Sequence, residues 1–326
     1  MKILVTGGFG FIGTNLIKKL NQMGFSDITC IDTLNNSFKL SNASQIKISD
    51  YIDKKEFFSI LKGTNSSATQ FDYIFHQGAC SDTTCKDGNY IMQNNFTFSK
   101  LLADFCLNNS IPMVYASSAS VYGDGQDFIE SKNENALNYY AYSKLLFDEY
   151  IRNKDINSFK SQIVGLRYFN VYGPYEEHKN RMASVIFHFY NQMKQNKRIN
   201  IFEGSHGLKN GEHKRDFIHV DNVVDMNLWF FQNKQHSGIF NCGTSEANSY
   251  NKIADIIIDY FKKNKKEFNL NFDDYKNYIK FPADLKDKYQ PYTKSNNENI
   301  NSIGYANKFY SFDEGVNKYL KYLDRK

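Results

Sequence analysis

Lys2-Ile3-Leu4-Val5-Thr6-Gly7-Gly8-Phe9-Gly10-Phe11-Ile12-Gly13 decides the fold of this 326-residue chain. An apolar strand runs into a turn with glycines at 7, 10 and 13, and an amphipathic stretch from Thr14 to Met23 follows. Such a turn aims backbone N–H groups and the positive end of the next helix at one point, where a pyrophosphate can sit clear of side chains. Gly7 and Gly10 permit the close approach, and Gly13 lets the helix pack on the strand. The next apolar strand, Ile28-Thr29-Cys30-Ile31, ends in Asp32, at the spacing where an acidic side chain meets a ribose hydroxyl.

Beyond this turn the chain alternates. Strands are predicted near 2–6, 28–32, 44–48, 72–76, 112–117 and 161–168, separated by helical stretches at 11–23, 53–62, 86–109 and 138–153. Short apolar strands such as Met113-Val114-Tyr115-Ala116 suit a parallel sheet covered on both faces. The expected class is α/β: a doubly wound parallel sheet (Rossmann) over residues 1–170, with a smaller α/β substrate-binding lobe over residues 171–326 and some interleaving of the two. After about residue 171 loops lengthen, notably the glycine-bearing run Phe202 to Arg215. The Asn- and Lys-rich tail from Tyr250 keeps apolar spacing at Ile253, Ile256, Ile257 and Tyr260, which predicts a solvated helix.

A formal charge of +5 with both signs interspersed argues against nucleic acid as a partner and suits a small anionic substrate. The first strand begins at Lys2, which leaves no room for a secretion leader, and no segment reads as membrane-spanning. The chain is therefore expected to be cytoplasmic, without membrane association and with reduced cysteines. Cys80 and Cys85 lack a second pair to complete a zinc site, so no metal is expected.

Tyr140 and Lys144, four apart on one helix face, and Ser118 at the end of a strand are the candidate chemical groups. A phenol is a poor base at neutral pH, but a neighbouring ammonium favours its phenolate. A serine hydroxyl at the strand's C-terminal edge can then bond the substrate oxygen as hydride leaves its carbon. An exposed Tyr/Lys pair in a chain rich in both is the plainer reading of the pair taken alone.

Together, the Gly7/Gly10/Gly13 turn, Ser118 and Tyr140-x-x-x-Lys144 resemble the extended short-chain dehydrogenase/reductase family. Further segments narrow this resemblance to its heptose 6-epimerase branch: His76-Gln77-Gly78-Ala79-Cys80-Ser81, Phe128-Ile129-Glu130-Ser131, Arg167-Tyr168-Phe169-Asn170-Val171-Tyr172-Gly173-Pro174, His178-Lys179 before Met182-Ala183-Ser184-Val185, Phe202-Glu203-Gly204-Ser205 and Lys214-Arg215-Asp216-Phe217.

The resemblance implies a redox-neutral inversion at C6 of an ADP-heptose, with Tyr140 and Lys179 as acid/base groups on opposite sides, and a role in supplying the heptose of lipopolysaccharide core. Lys179 by itself reads as a solvated loop residue. Asn180 stands where the family commonly has glycine, and both tolerate a left-handed backbone. Asp32 alone would favour NAD, whereas the resemblance implies NADP, with Lys39 and Lys54 offsetting the carboxylate and NAD still possible. Phe11, Ile12, Thr33, Gln77, Gly78, Ala79, Cys80, Ser81, Asn94, Lys144, Val171 and Lys179 complete the implied cofactor surface. Gln77 is neutral where an acid is frequent, and His76 reads as a packed strand-end residue.

The implied substrate contacts are Asn170, Arg181, His188, Phe202, Glu203, Gly204, Ser205, Arg215 and Tyr289. The plainer reading of Arg215 is an ion pair with Asp216 or Glu212; for His188 it is a core histidine. A homo-oligomer, a pentamer by resemblance, is also implied. Competing readings are a UDP-hexose 4-epimerase, a dehydratase and a non-catalytic dinucleotide sensor. Ala119 and Ser120 after Ser118 lack the acid a dehydratase uses, and a sensor would need neither Tyr140 nor Lys144.

Overall fold

Every residue of the first strand is buried, and its side chains alternate between two separate apolar layers, which identifies a sheet covered on both faces. A computed structural model describes residues 1–34, 37–63, 70–130, 134–154, 160–265, 268, 272–282 and 289–326. Ser131, the last residue of one motif quoted above, lies outside the described residues. The first half runs β1 (Ile3–Thr6), α1 (Phe11–Gln22), β2 (Ile28–Asp32), α2 (Ser37–Ala43), β3 (Asp50–Asp53), α3 (Lys54–Leu61), β4 (Tyr73–His76), α4 (Gly88–Ile91), α5 (Phe98–Asn108), β5 (Met113–Ser118), α6 (Tyr139–Arg152) and β6 (Ile163–Tyr168). The second half runs β7 (Asn170–Tyr172), α7 (Val185–Asn196), β8 (Ile199–Phe202), β9 (Lys214–His219), α8 (Val220–Gln232), β10 (Gly238–Cys242), β11 (Ala247–Ser249), α9 (Tyr250–Asn264), β12 (Lys276–Ile279), α10 (Glu298–Ser302) and α11 (Phe312–Leu323).

The main sheet has the order β10-β6-β5-β4-β1-β2-β3, with every neighbouring pair parallel. Ile3, Val5 and Phe75 pack with Leu16, Ile17 and Leu20 of α1 and with Met226 and Phe230 of α8; Leu4, Ile74 and Met113 pack with Leu102 of α5 and with Phe147 and Ile151 of α6. Each fully buried side chain of this size contributes about 1.5–3 kcal/mol. This is the expected doubly wound sheet. Its last strand, β10, comes from beyond residue 171, so the chain returns to the sheet after β7, β8 and β9 have entered the two smaller sheets.

The second apolar core joins α7, α9 and α11 through Ile186, Met193, Ile253, Ile257, Val316 and Leu320. Two small sheets carry it: β11-β9-β7, and the parallel pair β12-β8. The helix predicted from Tyr250 is present as α9, capped by Ser249, which accepts from Lys252 N.

One local expectation fails, and a second is met with a change of pitch. The strand expected at 44–48 is instead β3 at Asp50–Asp53, because Ser44 and Gln45 close the end of α2 by bonding the Leu40 and Asn42 carbonyls. The helix expected to run through 86–109 is interrupted by a π-helical turn, Met92–Thr97, between α4 and α5. Asn95 on that turn is buried and exchanges two hydrogen bonds with the Cys80 backbone, at 2.8 and 3.0 Å. The widened turn thus anchors the loop that follows β4.

Candidate active site

The glycine turn has the tightness that its spacing predicts. Gly7 has φ of 67°, and a Cβ there would stand 2.6 Å from the Gly78 Cα. At Gly13 a Cβ would stand 2.1 Å from the Gly7 carbonyl oxygen, so only glycine brings α1 this close to β1. A Cβ at Gly8 would meet the side-chain ends of Cys30 and Ile17 at 2.5 and 2.8 Å, a closeness that the spacing of Gly7, Gly10 and Gly13 does not signal. No side chain caps α1, which begins after Gly10, and no acid lies in its first turn. Its first amides, including those of Phe11 and Ile12, are left for a ligand, and a dinucleotide diphosphate fits that cradle.

At the end of β2 the Asp32 carboxylate accepts from the amides of Phe9 at 2.9 Å and Thr33 at 2.7 Å, and Lys39 Nζ lies 2.5 Å away. Lys39 also donates to the Thr33 carbonyl. Lys54 donates to Asn94 Oδ1 at 2.7 Å, and burial holds its ammonium below the usual lysine range. The Asp32 carboxylate and two ammonium groups therefore stand at this edge of the sheet, with Asp53, the register partner of Asp32 on β3, capping α3 beside them.

Ser118, Tyr140 and Lys144 converge at the C-terminal end of β5. Burial pushes the Tyr140 phenol up, opposed by the nearby hydroxyl of Ser118, whose Oγ accepts from the amide and hydroxyl of Ser120. Asn138 caps α6 by accepting from Ala141 N, which fixes Tyr140 in the helix's first turn. Lys144 is buried, and its Nζ donates to the Ala116 carbonyl at 2.6 Å. Burial lowers its ammonium to about 8, against the opposing pull of Asp148. Asp148, one helical turn further, accepts from Tyr115, Ser117 and Arg167, and so ties α6 to β5 and β6.

His76 is the packed strand-end residue expected. It lies between Thr6 Oγ1 at 2.6 Å and Ser99 Oγ at 2.8 Å, and burial drives its imidazole well down. Gln77 bonds Tyr168 and Asn227, so an amide joins a neutral hydrogen-bond triad where a carboxylate is frequent.

Lys179 sits on a 3-10 turn, Glu177–Met182, above Phe11, with its Nζ 5.4 Å from that ring's centre. Burial lowers its ammonium, opposed by Glu176. Asn180 has φ of 48° and ψ of −122°, backbone that glycine reaches more readily. The turn is held from both sides. Glu176 accepts from the backbone and hydroxyl of Ser184 at the start of α7, while Asn42 donates to the Phe9 and Tyr175 carbonyls and contacts His178. The glycine turn and the Lys179 loop are consequently one framework.

A cleft of about 720 Å³ opens between the main sheet and the second core. Ser81, Ser118, Tyr140, Asn170, Val171, Lys179, Arg181, His188, Phe202, Arg215 and Tyr289 line it. Arg181 is at the rim, paired with Asp82 at 3.2 Å. His188 contacts the Arg181 carbonyl and faces the cleft rather than the core. Arg215 is buried, and among the described residues no carboxylate lies within ion-pair distance of it. Its guanidinium instead covers the Tyr289 ring at 4.7 Å, because Asp216 is occupied by Thr244, Ser245 and Ser295.

Glu203, Gly204 and Ser205 stand beside the cleft without lining it. Gly204 N donates to Asn210, and Ser205 bonds His206 and His213. Asn95, Asn138, His213 and Gln290 are site or supporting residues that sequence reasoning missed, since lone polar residues carry no spacing signal. Among the described residues no three His, Cys, Asp or Glu side chains are placed to hold a metal, and no helix is long and apolar enough to cross a membrane. All five cysteines are unbridged.

Residues 3–243 match the model of the NAD dependent epimerase/dehydratase family. The chain is 46% identical over 327 aligned residues to ADP-L-glycero-D-manno-heptose-6-epimerase of Brachyspira hyodysenteriae, covering 99% of this chain and 98% of that protein. The crystal structure of Helicobacter pylori ADP-L-glycero-D-manno-heptose-6-epimerase superposes with a TM-score of 0.81 at 30% identity, over 100% of this chain and 96% of the other. Thermus thermophilus UDP-glucose 4-epimerase in complex with NAD shares the fold, with a TM-score of 0.78 at 19% identity over 99% of each chain. The chain belongs to the NAD dependent epimerase/dehydratase family.

Proposed function

We propose that this member of the NAD dependent epimerase/dehydratase family converts ADP-D-glycero-β-D-manno-heptose to ADP-L-glycero-β-D-manno-heptose, and so supplies the heptose of lipopolysaccharide core from the cytoplasm as a homo-oligomer. The observation that carries the reading is a single cleft lined together by Ser118 of β5, Tyr140 of α6 and Lys179 of the Glu177–Met182 turn, beside the uncapped dinucleotide turn. The full-length relationship to the Brachyspira enzyme supports the substrate.

A nicotinamide dinucleotide held by the glycine turn would supply hydride removal from C6 and its return to the opposite face of that carbon. Tyr140 takes the hydroxyl proton, with Ser118 bonding the same oxygen and steadying the developing charge. Lys144 holds a positive charge behind that pair and is positioned by Ala116 and Asp148. Lys179 exchanges the proton from the other side, and its depressed ammonium suits a group that must give and take a proton. Arg215, which pairs with no carboxylate among the described residues, binds the ADP diphosphate, with Asn170, Arg181, His188, Phe202 and Tyr289 around it. Glu203, Gly204 and Ser205 complete that end of the cleft.

The cofactor reading is NADP with NAD tolerated, since Lys39 neutralises Asp32 and Lys54 adds a second cation. Gly7, Gly10, Phe11, Ile12, Gly13, Thr33, Gln77, Gly78, Ala79, Cys80, Ser81, Asn94, Lys144, Val171 and Lys179 form its surface. Residues 1–170 serve mainly as the dinucleotide lobe and 171–326 mainly as the substrate lobe. Offered separately, ADP-D-glycero-D-manno-heptose should be inverted and UDP-glucose left unchanged. Inversion of the UDP-hexose alone would contradict the assignment.

A further inference from the structure

His213 lies immediately before β9 and is buried, yet it lines the cleft two residues from Arg215. Its ring packs edge-on against Tyr289, with centres 5.3 Å apart, and lies 5.5 Å from Phe281. Its Nε2 is tied to Ser205 Oγ at 2.7 Å, and that hydroxyl also bonds His206 Nδ1 at 2.8 Å. Arg215 also lies over the Tyr289 ring, its guanidinium 4.7 Å from the ring centre. Two cationisable groups therefore share one aromatic platform, and among the described residues no carboxylate lies within ion-pair distance of either.

We infer that His213 is a second contact for the substrate's diphosphate beside Arg215, and that it takes up a proton when the diphosphate binds. The inference rests on reading the cleft as a nucleotide-diphosphate site. The titratable groups around the imidazole are Arg215 from β9, His206 from the preceding loop and Tyr289, whose hydroxyl donates to that of Tyr250 on α9. Burial, Arg215 and His206 all lower the His213 imidazole, so the ring is neutral before an anion arrives. A diphosphate reverses the sign of the local field and restores the proton. No bond of the ligand changes; the imidazole gains an N–H bond as one buffer acid gives up its proton. Between the free and bound values, affinity falls about tenfold per pH unit as pH rises, because binding consumes a proton.

The test is calorimetric titration of the NADP-loaded protein with ADP-glucose, whose diphosphate diester does not itself titrate in this range. It is run near pH 7 in buffers of different ionisation enthalpy. Proton uptake is expected in the unmodified protein and in His206→Asn, and is expected to be lost in His213→Gln, which can keep the bond to Ser205. Uptake that persists in His213→Gln overturns the inference, as does uptake lost only in His206→Asn or binding without uptake in the unmodified chain. Failure of ADP-glucose to bind at any pH would overturn the underlying nucleotide-diphosphate reading instead.

Discussion

Lys144 Nζ donates to the Ala116 carbonyl of β5 at 2.6 Å, which fixes the first turns of α6 two residues short of Ser118 on the neighbouring strand. The contact buries an ammonium whose proton is lost near pH 8 in the folded chain, against an ordinary value of 10.5. Between those values the unfolded chain holds the proton that the folded chain has released. This group's contribution to stability therefore rises with pH across the window and is flat on either side of it. Lys144→Met lacks the titration. Denaturant unfolding of the cofactor-free proteins should show the difference shifting in favour of the unmodified chain, by up to about 3 kcal/mol, as pH rises from about 8 to about 10.5. A pH-independent difference would contradict it.

Asp148 accepts from Tyr115, Ser117 and Arg167 in a fully buried cluster, and Arg167 is also paired with Glu134 at 2.5 Å. Asp148→Asn leaves that arginine short of one countercharge and should cost about 3–5 kcal/mol in urea unfolding. A change under about 1 kcal/mol would show the cluster to be ordinary surface-strength pairing.

Substitution at the turn is a test of sterics alone. Gly13→Ala puts a methyl 2.1 Å from the Gly7 carbonyl oxygen. The expected outcome is loss of dinucleotide binding by fluorescence titration, together with destabilisation of about 1–3 kcal/mol. Unchanged binding would mean that α1 can retreat from β1 without penalty.

Much of this was legible from residues 2–32, where strand, glycine spacing and Asp32 act within one short segment. Tyr140 and Lys144 were legible for the same reason, as a local pair at helical spacing. What was not legible depends on distant partners. Asn95 matters because a π-turn aims it at Cys80, and Asn42 because it spans from Phe9 to Tyr175. The neutral Gln77 makes sense only beside Tyr168 and Asn227. The strand misplaced at 44–48 shows the limit of apolar alternation, since Ile46 and Ile48 pack against the main core from a loop.

Lys39 pairs with Asp32 at 2.5 Å, and in the proposed cofactor reading this pair decides between the two dinucleotides. Lys39→Ala frees the carboxylate to repel a 2′-phosphate. The ratio of NADP to NAD affinity should fall by roughly tenfold to a hundredfold in equilibrium titrations, mostly through NADP. Equal losses for both dinucleotides would assign Lys39 a merely structural role.

The most direct test of two-sided inversion in this cleft is a proton NMR time course of ADP-D-glycero-D-manno-heptose with the NADP-loaded protein, without added reductant, beside Lys179→Met and Tyr140→Phe. The unmodified protein should bring the C6 epimers to a stable mixture, and each variant should be slowed by about 10²–10⁴-fold while retaining bound dinucleotide. No epimer from the unmodified protein, or Lys179→Met turning over at the unmodified rate, would contradict the account.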